Sequence, residues 1–201
     1  MPFLILARHG ESVFNRENRF TGWLDVPVTD TGRCEAKAIA QKIAGFRIDT
    51  AYSSALQRTV ESLQIVLGEL HLRHIPVINS PELNERNYGD LQGLNKKDTA
   101  ERFGEKLVHS WRRSYTTAPP NGESLQQAGI RILKFFYAKI LHDVQEGLNT
   151  LVIAHGNTLR VIVKELDHLS DEEIMDVDIA TGEVLVYEYE GLTRFVSKKL
   201  L

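Results

Sequence analysis

A three-layer α/β/α sandwich around a largely parallel central sheet is the fold class this chain predicts, on three observations. Short apolar runs recur without clean polar alternation, which suits strands buried on both faces. Segments with helical spacing of apolar residues separate them, as in βαβ units. Two of the strand patterns run straight into His-Gly, as LILARHGES at residues 4–12 and LVIAHGNT at residues 151–158. Ligands of open α/β sheets bind beyond the carboxyl ends of strands, so both histidines stand where a site is expected.

The elements follow in chain order. Phe3–Ala7 is a strand. Gly32–Ala44, rich in Ala, Lys and Ile, is a helix, with Cys34 expected inside it as a small core filler. Thr50–Ser53 is a strand, and the capping-box spacing Ser54-x-x-Gln57 opens a helix over Ala55–Leu70. Pro76–Ile78 is a short strand. Ser124-x-x-Gln127 opens another helix, whose Leu125, Ala128, Ile132, Phe136, Ile140 and Val144 recur at helical intervals. Thr150–Ala154 is a strand, Leu159–Leu166 a helix, and Ser170-x-x-Glu173 starts a short helical turn. Val184–Tyr189 and Phe195–Lys199 complete the strands. Phe20, Trp23 and Trp111 are expected to pack rather than to stack on a ligand.

One domain over residues 1–201 is expected from the length and ordinary composition, 42% hydrophobic and 25% charged. A net charge of −3 offers no general field for nucleic acid or anionic membrane, so an anion site must be a local cluster. One cysteine allows no internal disulfide, and no signal-like or membrane-spanning apolar run is evident, so a cytoplasmic protein is expected. His71, His74, His109, His142 and His168 have no metal-site spacing and read as surface or satisfied residues.

His9 and His155 carry the chemistry. A neutral imidazole can attack phosphorus and form a phospho-enzyme, provided that fixed cations or donors surround the phosphoryl oxygens. Arg8 adjoins His9, and Arg58 follows the second strand in SSALQRTVES. Each arginine presents a planar fork that fits phosphate. His155 adds a donor, and the helix that HGNT opens offers free backbone N–H groups to an anion. Glu85, in the turn-rich NERNYGD, can pass a proton to or from a substrate hydroxyl; judged alone, it reads first as a surface ion pair with Arg86. Lys96, Arg112 and Arg113 are cations in a net acidic chain, suited to a second anionic group or to a solvated helix face. Thr21-Gly22 offers a hydroxyl and close backbone approach, or a plain turn.

The blocks RHGES, NRENRFTGWLDVPVT, YSSALQRTVES, LNERNYGDLQGLNK, WRRSY with PPNGESL, and AHGNTLRVIVK cover nearly the whole chain. Together they resemble the histidine phosphatase superfamily and, within it, the 2,3-bisphosphoglycerate-dependent phosphoglycerate mutases. The resemblance implies a phosphoglycerate-mutase-like fold and the interconversion of 3-phosphoglycerate and 2-phosphoglycerate. It makes His9 the phosphorylated nucleophile, with Arg8, Arg58 and His155 around the phosphate and Glu85 as proton carrier. Substrate contacts implied in the same way are Ser12, Asn15, Thr21, Gly22, Arg86, Asn87, Tyr88, Lys96, Arg112, Arg113, Gly156 and Asn157. The cofactor implied is 2,3-bisphosphoglycerate as primer, with no metal. The partners implied are small phosphoglycerates and a second copy or more of the chain, as a dimer or tetramer, with no nucleic acid or membrane.

Two features depart from the pattern. Asn87 stands where many such mutases carry histidine. Only Asn121-Gly122 fills the place where longer members carry a covering insertion before ESL. A shorter cover raises the expectation of more phosphoryl leakage to water. A phosphatase on small phosphate esters is the alternative enzyme, and a silent phospho-ligand-binding protein the alternative of another class. The basic set Arg86, Lys96, Arg112 and Arg113 separates the mutase from a general phosphatase. The presence of His9, Arg8, Arg58, Glu85 and His155 together disfavours the silent protein.

Overall fold

The computed structural model describes residues 1–191 and 195–200. Its elements are β1 (Phe3–Arg8), α1 (Val13–Arg16), α2 (Asp30–Ile43), β2 (Thr50–Ser54), α3 (Gln57–Glu69), β3 (Val77–Ser80), α4 (Lys96–Phe103) and α5 (Glu105–Arg113). Then follow α6 (Leu125–Phe135), α7 (Leu141–Gln145), β4 (Thr150–Ala154), α8 (Gly156–Leu166), α9 (Glu173–Asp176), β5 (Val184–Tyr189) and β6 (Phe195–Leu200). The sheet has six strands in the order β3-β2-β4-β1-β5-β6. β3, β2, β4 and β1 pair in parallel, and β5 runs against both β1 and β6.

Alternation along the central strands divides the core between two faces. Leu4, Leu6, Val152, Ala154, Leu185 and Tyr187 meet α6 and α8 through residues such as Ile132 and Ile162. Ile5, Ala7, Ala51, Leu151, Ile153 and Val186 meet α2 and α3 through residues such as Ile39 and Val66. Burying each such side chain contributes about 1.5–3 kcal/mol. A smaller cluster of Phe20, Leu91, Val108 and Trp111 anchors the loops above the strand tips.

The helix starts depart from the sequence reading in instructive ways. α2 begins at Asp30, because Thr29 Oγ1 accepts the Gly32 N–H and caps it. Cys34 is exposed: the buried face of α2 is Gly32, Ala36, Ile39, Ala40 and Ile43, and Cys34 lies off it. Ser54 does not cap α3: the N-cap residue is Leu56, the Gln57 N–H donates to the Asp25 carboxylate at 2.8 Å, and the Ser54 hydroxyl is held by Thr59, Leu56 and His155 instead. The capping box at Ser124 and Gln127 forms as predicted. Beyond it, Ile132, Phe136, Ile140 and Val144 are all fully buried although they recur every fourth residue. An α-helix would rotate such a series off its face, and a π-helical turn at Phe136–Ile140 restores the alignment. β3 runs to Ser80 rather than ending at Ile78, and Pro76, which lacks an N–H, serves only as acceptor for Ala51.

The β1 tip is packed too closely for any side chain at two glycines. A Cβ on Gly10 would lie 2.0 Å from the Gly32 carbonyl oxygen, and one on Gly32 would lie 2.2 Å from that of Glu11. Gly32→Ala is therefore expected to lower stability by about 1–3 kcal/mol in urea unfolding. Gly45→Ala, with nothing within 4 Å of the added carbon, should stay near wild type.

Candidate active site

Parallel pairing of β1 with β4 sets Arg8 opposite Ala154 and brings the two His-Gly tips side by side. The His9 N–H donates to the Ala154 carbonyl at 3.0 Å, and the His9 and His155 rings lie 5.0 Å apart at 68°. Both are buried, at 3% and 0% exposure. His9 Nδ1 donates to the Gly10 carbonyl at 2.7 Å, which leaves Nε2 with its lone pair free. Burial holds the His9 imidazole well below its ordinary range, the positive charges of Arg58 and Arg8 push it lower, and the Gly10 carbonyl partly opposes them. Burial likewise lowers His155, helped by Arg58, His9, Arg8 and Arg131. Both rings are thus neutral near pH 7, the state a nucleophile requires.

Arg58, in the first turn of α3, is 1% exposed and ties the Gly22–Leu24 loop to the site through the carbonyls of Gly22 at 2.8 Å and Leu24 at 3.0 Å. Burial lowers its pKa to about 10, while the carboxylates of Glu85 and Asp25 hold it up. Arg8 donates to the Ile179 carbonyl at 2.5 Å and keeps its Nε without a partner among the described residues. Glu85 is 8% exposed, so it is not a surface residue. One of its oxygens accepts the Arg86 N–H at 2.7 Å; the other faces the Asn157 N–H at 3.5 Å, at the start of α8.

A cavity of about 240 Å³ opens beside Arg8 and Glu85; His9, Arg58 and His155 are not among its lining residues. Of the expected substrate contacts, Arg8, Asn15, Thr21, Gly22, Glu85, Tyr88, Lys96, Arg112, Arg113, Gly156 and Asn157 line it. Ser12 lies behind Asn15, its hydroxyl 2.7 Å from the Asn15 amide oxygen. Arg86 is fully buried under Tyr88, with its guanidinium 4.6 Å from the ring centre and Nε and Nη1 unpartnered among the described residues. Asn87 is not part of the lining. Its side-chain oxygen accepts the Gly89 N–H at 2.8 Å and closes the local turn instead. That turn packs directly on the short connection: the Asp90 N–H donates to Pro120 and the Glu123 N–H to Asn87.

Sequence reasoning missed several participants. Arg19 and Arg160 also line the cavity, and Arg160 orients Asn157 through a 2.8 Å bond to its amide oxygen. Arg131 clasps the carbonyls of Glu82, Asn84 and Glu85 and pairs with Glu123 at 3.0 Å. Glu123 in turn accepts the Asn87 N–H. Trp23 is 43% exposed rather than packed inside, yet its indole N–H donates to the Glu85 carbonyl at 2.6 Å. Arg19, Trp23, Glu123 and Arg160 stand inside the quoted blocks and Arg131 outside them, but no spacing singles any of them out. His71, His74, His109 and His142 are exposed. Among the described residues, no three His, Cys, Asp or Glu side chains gather where they could hold a metal.

A family model for the histidine phosphatase superfamily (branch 1) matches residues 4–199. The chain belongs to this superfamily. A 2,3-bisphosphoglycerate-dependent phosphoglycerate mutase of Parvibaculum lavamentivorans is 47% identical, over 100% of this chain and 97% of that protein. One from Gloeobacter violaceus is 46% identical, over 95% of this chain and 87% of that protein. In fold, the chain is similar to a mycobacterial glucosyl-3-phosphoglycerate phosphatase: the TM-score is 0.85 at 21% identity, covering 100% of this chain and 97% of the other.

The buried neutral histidines give the fold a pH dependence. Unfolded histidines titrate near 6.5 and the folded His9 and His155 below that, so under pH 6.5 the unfolded chain binds more protons. Stability is expected to fall as pH drops through this range, by up to about 1.4 kcal/mol per pH unit for each histidine. Urea unfolding between pH 7.5 and 5 measures it, and His155→Gln should remove one histidine's share of the slope.

Proposed function

We propose that this chain interconverts 3-phosphoglycerate and 2-phosphoglycerate through a phosphohistidine at His9. The observation that carries the reading is the cavity lining: six cations, Arg8, Arg19, Lys96, Arg112, Arg113 and Arg160, stand against two carboxyls, Glu85 and Asp178, next to the strand tips that carry the two histidines. A phosphatase needs donors for one phosphoryl group. A mutase must also hold a carboxylate and a second phosphate while the substrate turns, and this many cations suit that task. The close mutase relatives support the same reading.

The residues divide the work accordingly. Phosphorylated His9 offers its phosphoryl group to the substrate hydroxyl; the Nε2–P bond breaks as the new O–P bond forms. Glu85 takes the hydroxyl proton, and returns it when Nε2 of His9 recovers a phosphoryl group from the other oxygen. Arg8, Arg58 and His155 stabilise the charge spread over the oxygens in transfer. The buried unpartnered donors of Arg8, Arg86 and Arg160 fit a polyanion such as 2,3-bisphosphoglycerate. When bound, that compound supplies the phosphoryl group that primes His9. The reading requires no metal.

The proposal extends to a homo-oligomer in the cytoplasm. β3 leaves one edge of the sheet open, with Val77 and Ile78 exposed, and offers a surface for a second copy. Among the described residues, no helix is long and apolar enough to cross a membrane.

The deciding assay couples 2-phosphoglycerate formation to enolase, with and without trace 2,3-bisphosphoglycerate. EDTA added to the protein beforehand and removed before coupling tests the metal; free phosphate is read in parallel. Turnover that needs the bisphosphate, survives EDTA and vanishes in His9→Asn is expected. Phosphate release without 2-phosphoglycerate would make the chain a phosphatase. Arg131→Met should lower kcat by up to about 100-fold, because the loop carrying Glu85 loses its clasp. Arg131→Lys, without the fork, should recover little of that rate.

A further inference from the structure

Unlike His9, His155 has no carbonyl to fix its proton. Its Nε2 lies 2.8 Å from the Ser54 hydroxyl, and its buried Nδ1 has no partner among the described residues. Which nitrogen carries the proton therefore depends on how Ser54 spends its own. Ser54 Oγ accepts the Leu56 N–H at 3.1 Å and stands 2.6 Å from Thr59 Oγ1. Thr59 has other acceptors, the carbonyls of Leu56 and Ser54. The Leu56 carbonyl, however, already accepts the N–H groups of Thr59 and Val60, and the Ser54 carbonyl lies 3.3 Å from Thr59 Oγ1, farther than Ser54 Oγ at 2.6 Å. The Thr59 proton is best placed on Ser54 Oγ. With both Ser54 lone pairs then filled, its own proton has one acceptor left, His155 Nε2.

We propose that Thr59 and Ser54 form a two-hydroxyl relay that holds His155 in its Nδ1-protonated neutral form, with Nδ1–H the donor to the phosphoryl group carried by His9. The opposite tautomer would turn a lone pair toward an anion. Both hydroxyl residues are fully buried, so water does not compete for these bonds. Ser54 and Thr59 are positioning residues: Ser54 touches His155, Thr59 touches Ser54, and both act through the His155 ring. The function assigned to the Nδ1 proton rests on the phosphohistidine reading; the tautomer itself does not.

Histidine-15N-labelled protein and a long-range proton–nitrogen correlation test this, with orthovanadate as the probe and His155→Gln assigning the signals. Nδ1-protonated His155 is expected in the vanadate-bound wild type. Thr59→Val should give a mixture of tautomers, and Thr59→Ser should restore the wild-type form. Ser54→Ala should lower kcat about tenfold or more, by analogy with hydrogen-bond partners that orient ligating histidines, with KM within about twofold. The double variant Ser54→Ala/Thr59→Val should fall no further than Ser54→Ala alone. An Nε2-protonated His155 in the wild type, or a tautomer indifferent to loss of both hydroxyls, would overturn the relay. Phosphorylation of His9 by 2,3-bisphosphoglycerate, read separately by 31P spectroscopy, tests the phosphohistidine reading; its failure leaves the tautomer result to decide the relay.

Discussion

The whole site hangs on the parallel pairing of β1 with β4. That pairing joins segments separated by most of the chain, and its last step, His9 N–H to the Ala154 carbonyl, sets two imidazoles 5.0 Å apart. The strands are buried on both faces, so a slip of one residue would drive Ile5 and Ala7 out of one core cluster and Leu4 and Leu6 out of the other. The hydrophobic effect therefore fixes the distance between the two imidazoles: the histidines cannot separate without dismantling the sheet.

Around this pair the structure gathers positive charge that no nearby carboxylate fully balances. Burying arginine is costly, and the chain limits the cost by directing most guanidinium groups at backbone carbonyls. Arg58 holds those of Gly22 and Leu24, Arg160 those of Arg113 and Ile174, and Arg131 those of Glu82, Asn84 and Glu85. Each bond satisfies a donor and also pins a loop, and Arg160, which lines the cavity, thereby helps build its frame as well. What remains unpaired among the described residues, at Arg8, Arg86, Arg160 and His155, is concentrated at the site. Such groups favour an anion that brings its own acceptors.

The short connection before Ser124 fits this picture. Gly89 takes a positive φ of 53° and Asn121 one of 55°, and the two turns interlock so tightly that a Cβ on Gly89 would lie 2.1 Å from the Pro120 carbonyl oxygen. Glu123 emerges from that contact to pair with Arg131 and to accept the Asn87 N–H. The short segment before Ser124 thus braces the loop bearing Glu85 from outside.

Local pattern in the sequence was enough for the fold class, the order of the strands along the chain, the two His-Gly tips, and the proposal of Arg8, Arg58 and His155 as a phosphate pocket. Those features are carried by periodicity and by neighbours in the chain, and the family resemblance extended them to most of the cavity lining. Cys34, Trp23, Ser54 and Asn87 came out differently, because each was decided by a partner distant in sequence or by the direction of a helix face. The sheet's strand order, the clasp of Arg131 on three carbonyls, and the neutral state of both histidines belong to tertiary structure alone. A carbonyl becomes an acceptor for a given arginine, and a dielectric becomes low around an imidazole, only when segments far apart in the chain have closed on one another.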